Sequence, residues 1–215
     1  MILLETRGIV QAMARSYKEA LDRLYRVAES QQGYFTAKQA KRCGFADSAQ
    51  HYHVQVGNWV REHRGVYRLA RFPQTDDSHL VLWSLWSRDQ QDKPQGVYSC
   101  QTALAIHDLS DLMPSKLHMT VPRRFRRNSE IPPVLVLHYA DLADDGIDSR
   151  AGFRVTRPLR TIIDLMRAGD VPHDVLAQAF REALSRGMVT RAQIGALPGD
   201  GQERLWLDQL LREVA

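Results

Sequence analysis

The stretch TAKQAKRCGFADSAQHYHV, which begins at Thr36, most strongly constrains how this chain can fold. TAKQ is a capping box, in which the Thr36 hydroxyl accepts a hydrogen bond from the amide of Gln39 and the Gln39 side chain reaches back. Gly44 suits the left-handed turn with which helices commonly end. A second helix is expected to begin three residues later, with Asp47 or Ser48 as its cap. The stretch therefore predicts two short helices joined by a tight turn.

The segments on either side complete a winged helix-turn-helix. An upstream amphipathic helix is predicted because apolar residues recur at helical spacing, at Tyr17, Leu21, Leu24, Tyr25 and Ala28. The brief extended segment GYF follows that helix. After Gly57, the residues WVREHRGVYRL predict two short strands around a turn that contains Gly65. Helix, strand, helix, turn, helix and hairpin is the element order of a winged helix-turn-helix.

Charge is unevenly distributed along the chain. Residues 1–73 carry 12 Lys and Arg against 6 Asp and Glu, and residues 74–215 carry 17 against 19, so the net charges are +6 and −2. Pro73 and the polar QTDDS after it are typical of a linker, which places a domain boundary near residues 72–78. We therefore expect a basic first domain that meets a polyanion, joined to a near-neutral second domain.

That boundary divides the chain into three segments. Residues 16–73 are the expected DNA-binding domain, and residues 79–215 are the second domain. Residues 1–15 are expected to be an N-terminal extension without fixed structure. Because Met13 begins MARSYKEALDRLY, which is typical of a natural start, residues 1–13 are interpreted as either a mis-assigned extension or a loosely ordered arm.

The second domain is predicted to be α+β, with a small sheet and a helical C-terminal half. It begins with a largely buried helix at residues 80–86, followed by a helix that Ser99 can cap. Strands are predicted from apolar alternation or apolar runs at residues 116–121, 134–139 and 153–156. Helices are then predicted from Pro158, at residues 175–184, from the capping box Thr190 to Gln193, and at residues 205–214.

The third helix of the first domain is predicted to read DNA. Ala49, Tyr52 and Val56 are expected to pack inward, because they share one helical face. The opposite face then meets base edges in the major groove, where Gln can pair with adenine and Val can contact a thymine methyl. The predicted base-reading residues are Ser48, Gln50, His51, Val54 and Gln55.

Basic and polar residues around that helix are expected to contact the DNA backbone. They lie at the start of the second helix, along it, and on the hairpin. The predicted backbone contacts are Thr36, Lys38, Lys41, Arg42, Arg61, His63 and Arg64. The alternative is that this is a helical corner with a solvated basic face, since such corners also occur in proteins that never touch DNA.

A second basic segment, PRRFRRN, lies between two predicted strands of the second domain. One interpretation is a solvated hairpin tip. The other is a second contact with nucleic acid or a partner. The residues concerned are Arg123, Arg124, Arg126 and Arg127.

The sequence predicts no enzyme, metal site or cofactor. Of the eight histidines, His118 and His138 on neighbouring predicted strands form the best pair, but the set lacks ligand spacing. Cys43 and Cys100 are too far apart for a Cys-x-x-Cys site, and Cys100 is interpreted as a buried small hydrophobe. A glycine-rich phosphate loop is also missing from the sequence. We therefore expect binding rather than catalysis.

The cellular compartment of the protein is inferred from its apolar runs and its cysteine content. The longest apolar run, LVLWSLW, is far shorter than the roughly 20 residues of a membrane-spanning helix. Two cysteines are too few for a disulfide framework, so a reduced cytoplasmic setting is expected. No membrane association is predicted.

Four segments together resemble the AbiEi-type antitoxins, which are transcriptional regulators of type IV toxin-antitoxin systems. They are GYFTAKQAKRCGF, HRGVYRLARFP, GVYSCQTALAIHDLSDLMPSKLHMTVP and RVTRPLRTIIDL, within a likeness that runs from Tyr17 to Ile194. The resemblance implies an N-terminal winged helix that binds inverted repeats in its own promoter, which suggests two copies on double-stranded DNA. The reading positions that it implies are Ser48, Gln50, His51 and Val54, with Arg61 and Arg64 of the wing.

The resemblance also implies a role for the second domain. That domain is associated with antitoxin activity against a nucleotidyltransferase-like toxin, without a stable complex being required. Such systems are linked to phage defence by abortive infection. The alternative hypothesis is a stand-alone regulator whose second domain senses a small molecule or a protein partner.

Overall fold

The computed structural model describes the backbone of residues 2–197 and 201–213 and the side chains of residues 14–197 and 201–212. The chain forms two compact units. Unit 1 contains Met1–Gln95 and Arg150–Phe153, and unit 2 contains Gly96–Ser149 and Arg154–Ala215. Among the described residues, no helix is both long and apolar enough to span a membrane.

Unit 1 has the element order that the sequence predicts for its first seventy residues. Its elements are α1 (Ile2–Glu29), β1 (Tyr34–Thr36), α2 (Ala37–Cys43), α3 (Asp47–Gln55), β2 (Trp59–His63), β3 (Val66–Leu69) and α4 (Ser78–Trp86). The strands form an antiparallel sheet in the order β1-β3-β2, with Phe35 opposite Tyr67 and Val60 opposite Arg68. The sheet therefore consists of the predicted hairpin and the short strand that precedes α2.

Aromatic rings form the centre of the unit 1 core. Trp59 is buried, and its ring centroid lies 4.8 Å from that of Phe35 and 5.2 Å from that of Phe45, both with steep interplanar angles. Leu24 and Ala28 of α1 belong to the same buried cluster. This cluster joins α1, the sheet and the α2–α3 corner, since it takes side chains from all of them.

The N-terminal segment differs from the expected extension. Helix α1 runs from Ile2 to Glu29, so the backbone of residues 2–15 is helical. The segment is rich in good helix formers and contains no proline, which is consistent with a continuous helix. The side chains of residues 1–13 lie outside the described part of the structure.

Unit 1 also extends beyond the boundary expected near residues 72–78. Helix α4 is buried through Leu80, Val81, Leu85 and Trp86, and it contacts all three strands of the sheet. The polar residues before it are anchored rather than free, because the Thr75 hydroxyl donates to Gln32 Oε1 at 2.9 Å. The polar composition of residues 72–78 therefore predicts a domain boundary at a point where the chain remains packed within unit 1.

Unit 2 is an α+β unit, as predicted. Its strands are β4 (Val97–Tyr98), β5 (Leu117–Val121), β6 (Leu135–Tyr139), β7 (Ile147–Ser149) and β8 (Arg154–Thr156). Its helices are α5 (Cys100–Ile106), α6 (Pro158–Ala168), α7 (His173–Ser185), α8 (Arg191–Gly195) and α9 (Gln202–Glu213), with a 3-10 turn at Asp144–Gly146. The predicted strands at 116–121, 134–139 and 153–156 and the capping box at Thr190 are all present.

The sheet of unit 2 is mixed. Its strand order is β6-β5-β4-β8-β7, with β5 parallel to β6 and β4 parallel to β8, and the other pairs antiparallel. Helices α6, α7 and α9 bury one cluster that includes Ile162, Phe180 and Leu207. The helical C-terminal half therefore has a hydrophobic core of its own beside the sheet.

The turn between α1 and β1 provides a test of the unit 1 packing. Gly33 has φ +90°, and a Cβ there would lie 2.6 Å from Cγ of Phe72. Gly57 has φ +75° with open space around it. We expect Gly57→Ala to lower the free energy of unfolding by about 1–2 kcal/mol, and Gly33→Ala by about 1–3 kcal/mol more, since it adds overpacking. Urea unfolding followed by circular dichroism measures both, and equal losses would contradict the packing at Phe72.

Candidate nucleic-acid interface

Helix α2 begins with the predicted capping box. The Thr36 hydroxyl accepts from the Gln39 amide at 3.1 Å, and the Thr36 amide donates to Gln39 Oε1 at 2.8 Å. Gly44 ends the helix with φ 109°. Thr36 is fully buried, however, and its hydroxyl donates to Asp92 Oδ2 at 2.6 Å. The predicted phosphate contact at Thr36 is therefore wrong, because its hydroxyl faces the interior of unit 1.

A segment after α4 contacts two of the α2 residues that were predicted to bind phosphates, Lys38 and Arg42. Lys38 Nζ donates to the Gln90 carbonyl at 2.7 Å, and Arg42 Nη2 donates to the Gln91 carbonyl at 3.3 Å. Arg42 also lies 3.6 Å from the buried carboxylate of Asp92. Both basic side chains are exposed but already held by this segment. Part of their hydrogen-bonding capacity is therefore already used within unit 1.

The buried Asp92 carboxylate is balanced by a second arginine. Arg88 Nε lies 3.2 Å from Asp92 Oδ1. Burial lowers the pKa of Arg88, and the charge of Asp92 opposes that shift. Because a buried charge is costly unless paired, Arg88 stabilises the carboxylate that accepts from Thr36 at the start of α2.

The remaining basic positions are more accessible. Lys41 is exposed and lies 3.8 Å from Asp47, a weak surface pair. Arg61 and Arg64 of the β2–β3 hairpin are exposed. His63 is only half-buried, and its ring packs edge-on against Trp83 at 5.7 Å. Lys41, Arg61 and Arg64 are therefore the predicted backbone residues best placed to meet phosphates.

Helix α3 is rotated relative to the predicted orientation. Gln50 and His53 are buried, with Gln50 only 4% exposed. Tyr52 is 58% exposed and Val56 is also exposed, so the prediction that both pack inward is wrong. Ala49 is half-buried, as an inward-facing residue at the helix edge would be. The helix itself begins at Asp47 after Ala46, without the side-chain cap expected from Asp47 or Ser48.

Gln50 is a structural residue rather than a base reader. Its Nε2 donates to the carbonyls of Ala37 at 3.2 Å and Phe45 at 3.4 Å, and it lies 3.4 Å from Asp47 Oδ1. Buried amides need such partners, since an unsatisfied one is costly. The Gln50 side chain therefore joins α3 to α2 and to the turn between them, and the predicted contact with adenine is wrong.

His53 occupies the other inward position. Its ring stacks on Trp59 at 4.6 Å with an interplanar angle of 18°, and its Nδ1 lies 3.2 Å from Asn58 Nδ2. Burial lowers the pKa of His53. The ring is therefore neutral near pH 7, and Nδ1 accepts the hydrogen bond that the Asn58 amide donates.

One face of α3 is exposed along its whole length. It consists of residues at positions i, i+3, i+4 and i+7, which align on a helix. These residues are Ser48, His51, Tyr52 and Gln55. Three of them were predicted to read bases, whereas Val54 is half-buried against the core cluster. The apolar pattern predicts that Tyr52 packs inward and so does not identify it as a base-reading candidate, although Tyr52 shares the helical spacing of Ser48 and Gln55.

This face, which we call the α3 face, has the chemistry of a base-reading surface. The Gln55 amide can donate and accept in the bidentate pattern that adenine requires. Ser48 and Tyr52 offer hydroxyls, and the His51 ring can donate or accept a hydrogen bond. Its four side chains carry no fixed charge, so sequence would be read by hydrogen bonding while affinity comes from the basic residues nearby.

The basic segment of unit 2 is not a hairpin tip. Because β5 and β6 are parallel, PRRFRRN begins a crossover connection rather than a turn. Phe125 is buried, and Arg126 Nη1 donates to the Phe125 carbonyl at 2.8 Å. Arg123, Arg124 and Arg126 are exposed and Arg127 is half-buried. The arginines therefore surround an anchored aromatic ring, and their role as a contact stays a prediction.

Part of unit 1 matches a known protein family. A short strand, a two-helix corner and a hairpin define a helix-turn-helix type of unit, of the kind found in transcription regulators. Residues 22–70 match the family of the AbiEi antitoxin, described as a transcriptional regulator. That segment runs from within α1 through β3, so the resemblance expected from the sequence is confirmed there.

Similarity over the longer chain is a matter of fold. The structure is similar to the crystal structure of RV2827C protein from Mycobacterium tuberculosis, with a TM-score of 0.55 and 14% identity. The alignment covers 91% of this chain and 77% of that chain. No curated protein matches the chain by sequence. At this identity the structural match supports a shared fold.

The buried role of Gln50 can be tested against an exposed neighbour. Gln50→Ala removes a buried side chain and the hydrogen bonds that it donates to the Ala37 and Phe45 carbonyls, so we expect the free energy of unfolding to fall by about 1–3 kcal/mol. His51→Ala removes a side chain from the α3 face and should change it by no more than about 0.5 kcal/mol. Urea titration of both variants measures the difference. A loss at Gln50 no larger than that at His51 would contradict the buried position of Gln50, since both residues face outward in the orientation predicted from the sequence.

Proposed function

We propose that the protein is a DNA-binding transcriptional repressor that acts as the antitoxin of a type IV, AbiE-like toxin-antitoxin system. The α3 face carries this proposal: Ser48, His51, Tyr52 and Gln55 form an exposed, uncharged polar stripe. It lies within the segment that matches the AbiEi transcriptional regulator family. The net charge of +6 over residues 1–73, from 12 basic and 6 acidic residues, supports a polyanionic partner.

DNA recognition would divide between two sets of side chains. The α3 face enters the major groove and reads base edges. Lys41, Arg61 and Arg64 contact phosphates and supply affinity that depends on salt. The sites are inverted repeats in the protein's own promoter, so two copies bind together and repress their own transcription.

The proposed antitoxin role rests on the family match. We propose that unit 2 takes part in it. The functional partner is a nucleotidyltransferase-like toxin, which the protein counters without a stable complex, and the pair serves phage defence by abortive infection. The protein acts in the cytoplasm by binding rather than by catalysis. Cys43 and Cys100 are free thiols, which is consistent with a reducing compartment.

Two substitutions separate backbone contact from base reading. Arg64→Ala should weaken binding to all DNA sequences and reduce the slope of log affinity against log salt by about 1. Gln55→Ala should instead change base preference, at about 1–3 kcal/mol for the base pair that it reads. Gel-shift titration at several salt concentrations measures both, with a duplex from the region upstream of the gene and single-base variants of it.

Arg191→Ala is the matched control, because it removes one exposed arginine of unit 2 and the same charge. It should leave base preference unchanged and affect binding less than Arg64→Ala. Equal weakening by both arginine variants would contradict a specific role of the hairpin. Unchanged base preference in Gln55→Ala, and equally in Tyr52→Ala, would contradict reading by the α3 face.

Co-expression tests the antitoxin role independently of DNA binding. Expression of the adjacent gene should arrest growth if it encodes the toxin, and this protein supplied from an unrelated promoter should restore growth. The Arg64→Ala variant should restore growth equally well, since neutralising the toxin does not require the hairpin. If neither the wild type nor the Arg64→Ala variant restored growth, the antitoxin role would be contradicted. The repressor role would be unaffected by that result.

A further inference from the structure

Three side chains of unit 2 converge although they are far apart in the sequence. Cys100, His118 and His138 each offer one ligand atom, and these three atoms lie within 4.8 Å of one another. All three residues are half-buried. Cysteine and histidine are the donors that dominate zinc sites in proteins. The absence of ligand spacing in the sequence therefore does not exclude a metal site here.

Strand pairing brings the two histidines together. In the parallel pair β5 and β6, His138 lies opposite Thr120, and His118 lies opposite Val136. The two rings are nearly parallel, with centroids 5.2 Å apart and an interplanar angle of 23°. His118 Nδ1 and His138 Nε2 face each other at 3.0 Å. Two ring nitrogens therefore already lie side by side.

Backbone hydrogen bonds hold Cys100 beside this pair. The Ser99 amide donates to the His118 carbonyl at 3.1 Å, and the His118 amide donates to the Thr102 hydroxyl at 2.7 Å. The residues on both sides of Cys100 are thus bonded to the residue that carries one of the rings. The position of the thiol is set by the fold rather than by a mobile loop.

The conformation of Cys100 is a second observation in favour of a site. Its φ is +52°, in the left-handed region, although it is neither glycine nor asparagine. Such a conformation costs free energy and persists only where the surrounding structure imposes it, which occurs most often at functional sites.

We propose that Cys100, His118 and His138 bind one Zn²⁺ ion, with solvent as the fourth ligand. Zinc takes sulfur at about 2.3 Å and nitrogen at about 2.0–2.1 Å in a tetrahedron, which separates these ligand atoms by roughly 3.3–3.6 Å. The two histidine nitrogens lie 3.0 Å apart and all three ligand atoms lie within 4.8 Å of one another, so a small opening of the histidine pair and a closer approach of the thiol admit the ion. The soft thiolate favours zinc over magnesium or calcium.

Zinc binding requires one proton to leave the site and one to move within a histidine ring. The Cys100 thiol loses its proton to solvent on binding, because the thiolate is the ligand. One of the two facing ring nitrogens carries a proton, which moves to the other nitrogen of that ring, so both histidines bind as neutral imidazoles. Burial raises the pKa of the Cys100 thiol and lowers the pKa of His118, and the negative charge of nearby Asp170 acts on both groups and favours a cation.

The ion would join three elements of unit 2. Cys100 begins α5, His118 lies on β5, and His138 lies on β6, the edge strand of the sheet. A metal bound only by the folded unit stabilises that unit by mass action. Zinc should therefore raise the melting temperature of unit 2.

Titration of the untagged, chelator-treated full-length protein tests the site. Co²⁺ should bind with a stoichiometry of one, giving the absorption of a tetrahedral cobalt ion and a thiolate-to-cobalt charge-transfer band, and Zn²⁺ should displace it. Cys100→Ser should abolish the charge-transfer band, and Cys100→Ser and His138→Asn should each weaken zinc binding by more than about 100-fold. That loss is expected because even second-shell partners of a metal commonly change affinity by 10–100-fold.

Cys43→Ala is the matched control. Cys43 is the other thiol of the chain and lies buried in unit 1, so this variant should keep the band, the affinity and the zinc-dependent rise in melting temperature. His138→Asn affects a half-buried residue on an edge strand, which keeps a folded variant available if Cys100→Ser does not fold. The proposal is overturned if the wild type binds no zinc, or if folded His138→Asn binds it as tightly as the wild type.

Discussion

Two buried polar side chains fix the rotation of α3 about its own axis. Gln50 can be buried only because the carbonyls of Ala37 and Phe45 accept from its amide. His53 can be buried only because it stacks on Trp59 and accepts from Asn58. A rotation that exposed either residue would break these hydrogen bonds and the stacking on Trp59. The surface that the helix offers to a partner is therefore set from inside the unit.

The sequence predicted the elements of unit 1 better than their orientation. Capping and glycine signals act locally, so Thr36, Gln39 and Gly44 place the ends of α2 correctly. The inward face of α3 was assigned by treating apolar residues as buried, and that rule fails where buried residues are polar and satisfied by hydrogen bonds. The same rule placed Thr36 at the surface, although its hydroxyl is bonded to a carboxylate fifty-six residues away.

Long-range pairing explains what the sequence could not show in unit 2. Cys100, His118 and His138 have no recognisable spacing, and their convergence depends on β5 and β6 being parallel and on one particular register. Apolar alternation identifies strands but says nothing about their direction or partner. The hairpin tip, one of the two interpretations of PRRFRRN, fails for the same reason, since antiparallel strand pairs are more common than parallel ones.

The contacts of α2 also change how DNA affinity would arise. Lys38 and Arg42 donate to carbonyls of the segment after α4, so only their remaining donors are available to a phosphate. If only Lys41, Arg61 and Arg64 neutralise phosphates, one copy would show a salt slope of roughly −2.7, since each phosphate contributes about −0.9. So small an electrostatic term gives weak binding by a single copy. Two copies on an inverted repeat double that term, so that occupancy of the site depends on both copies being bound.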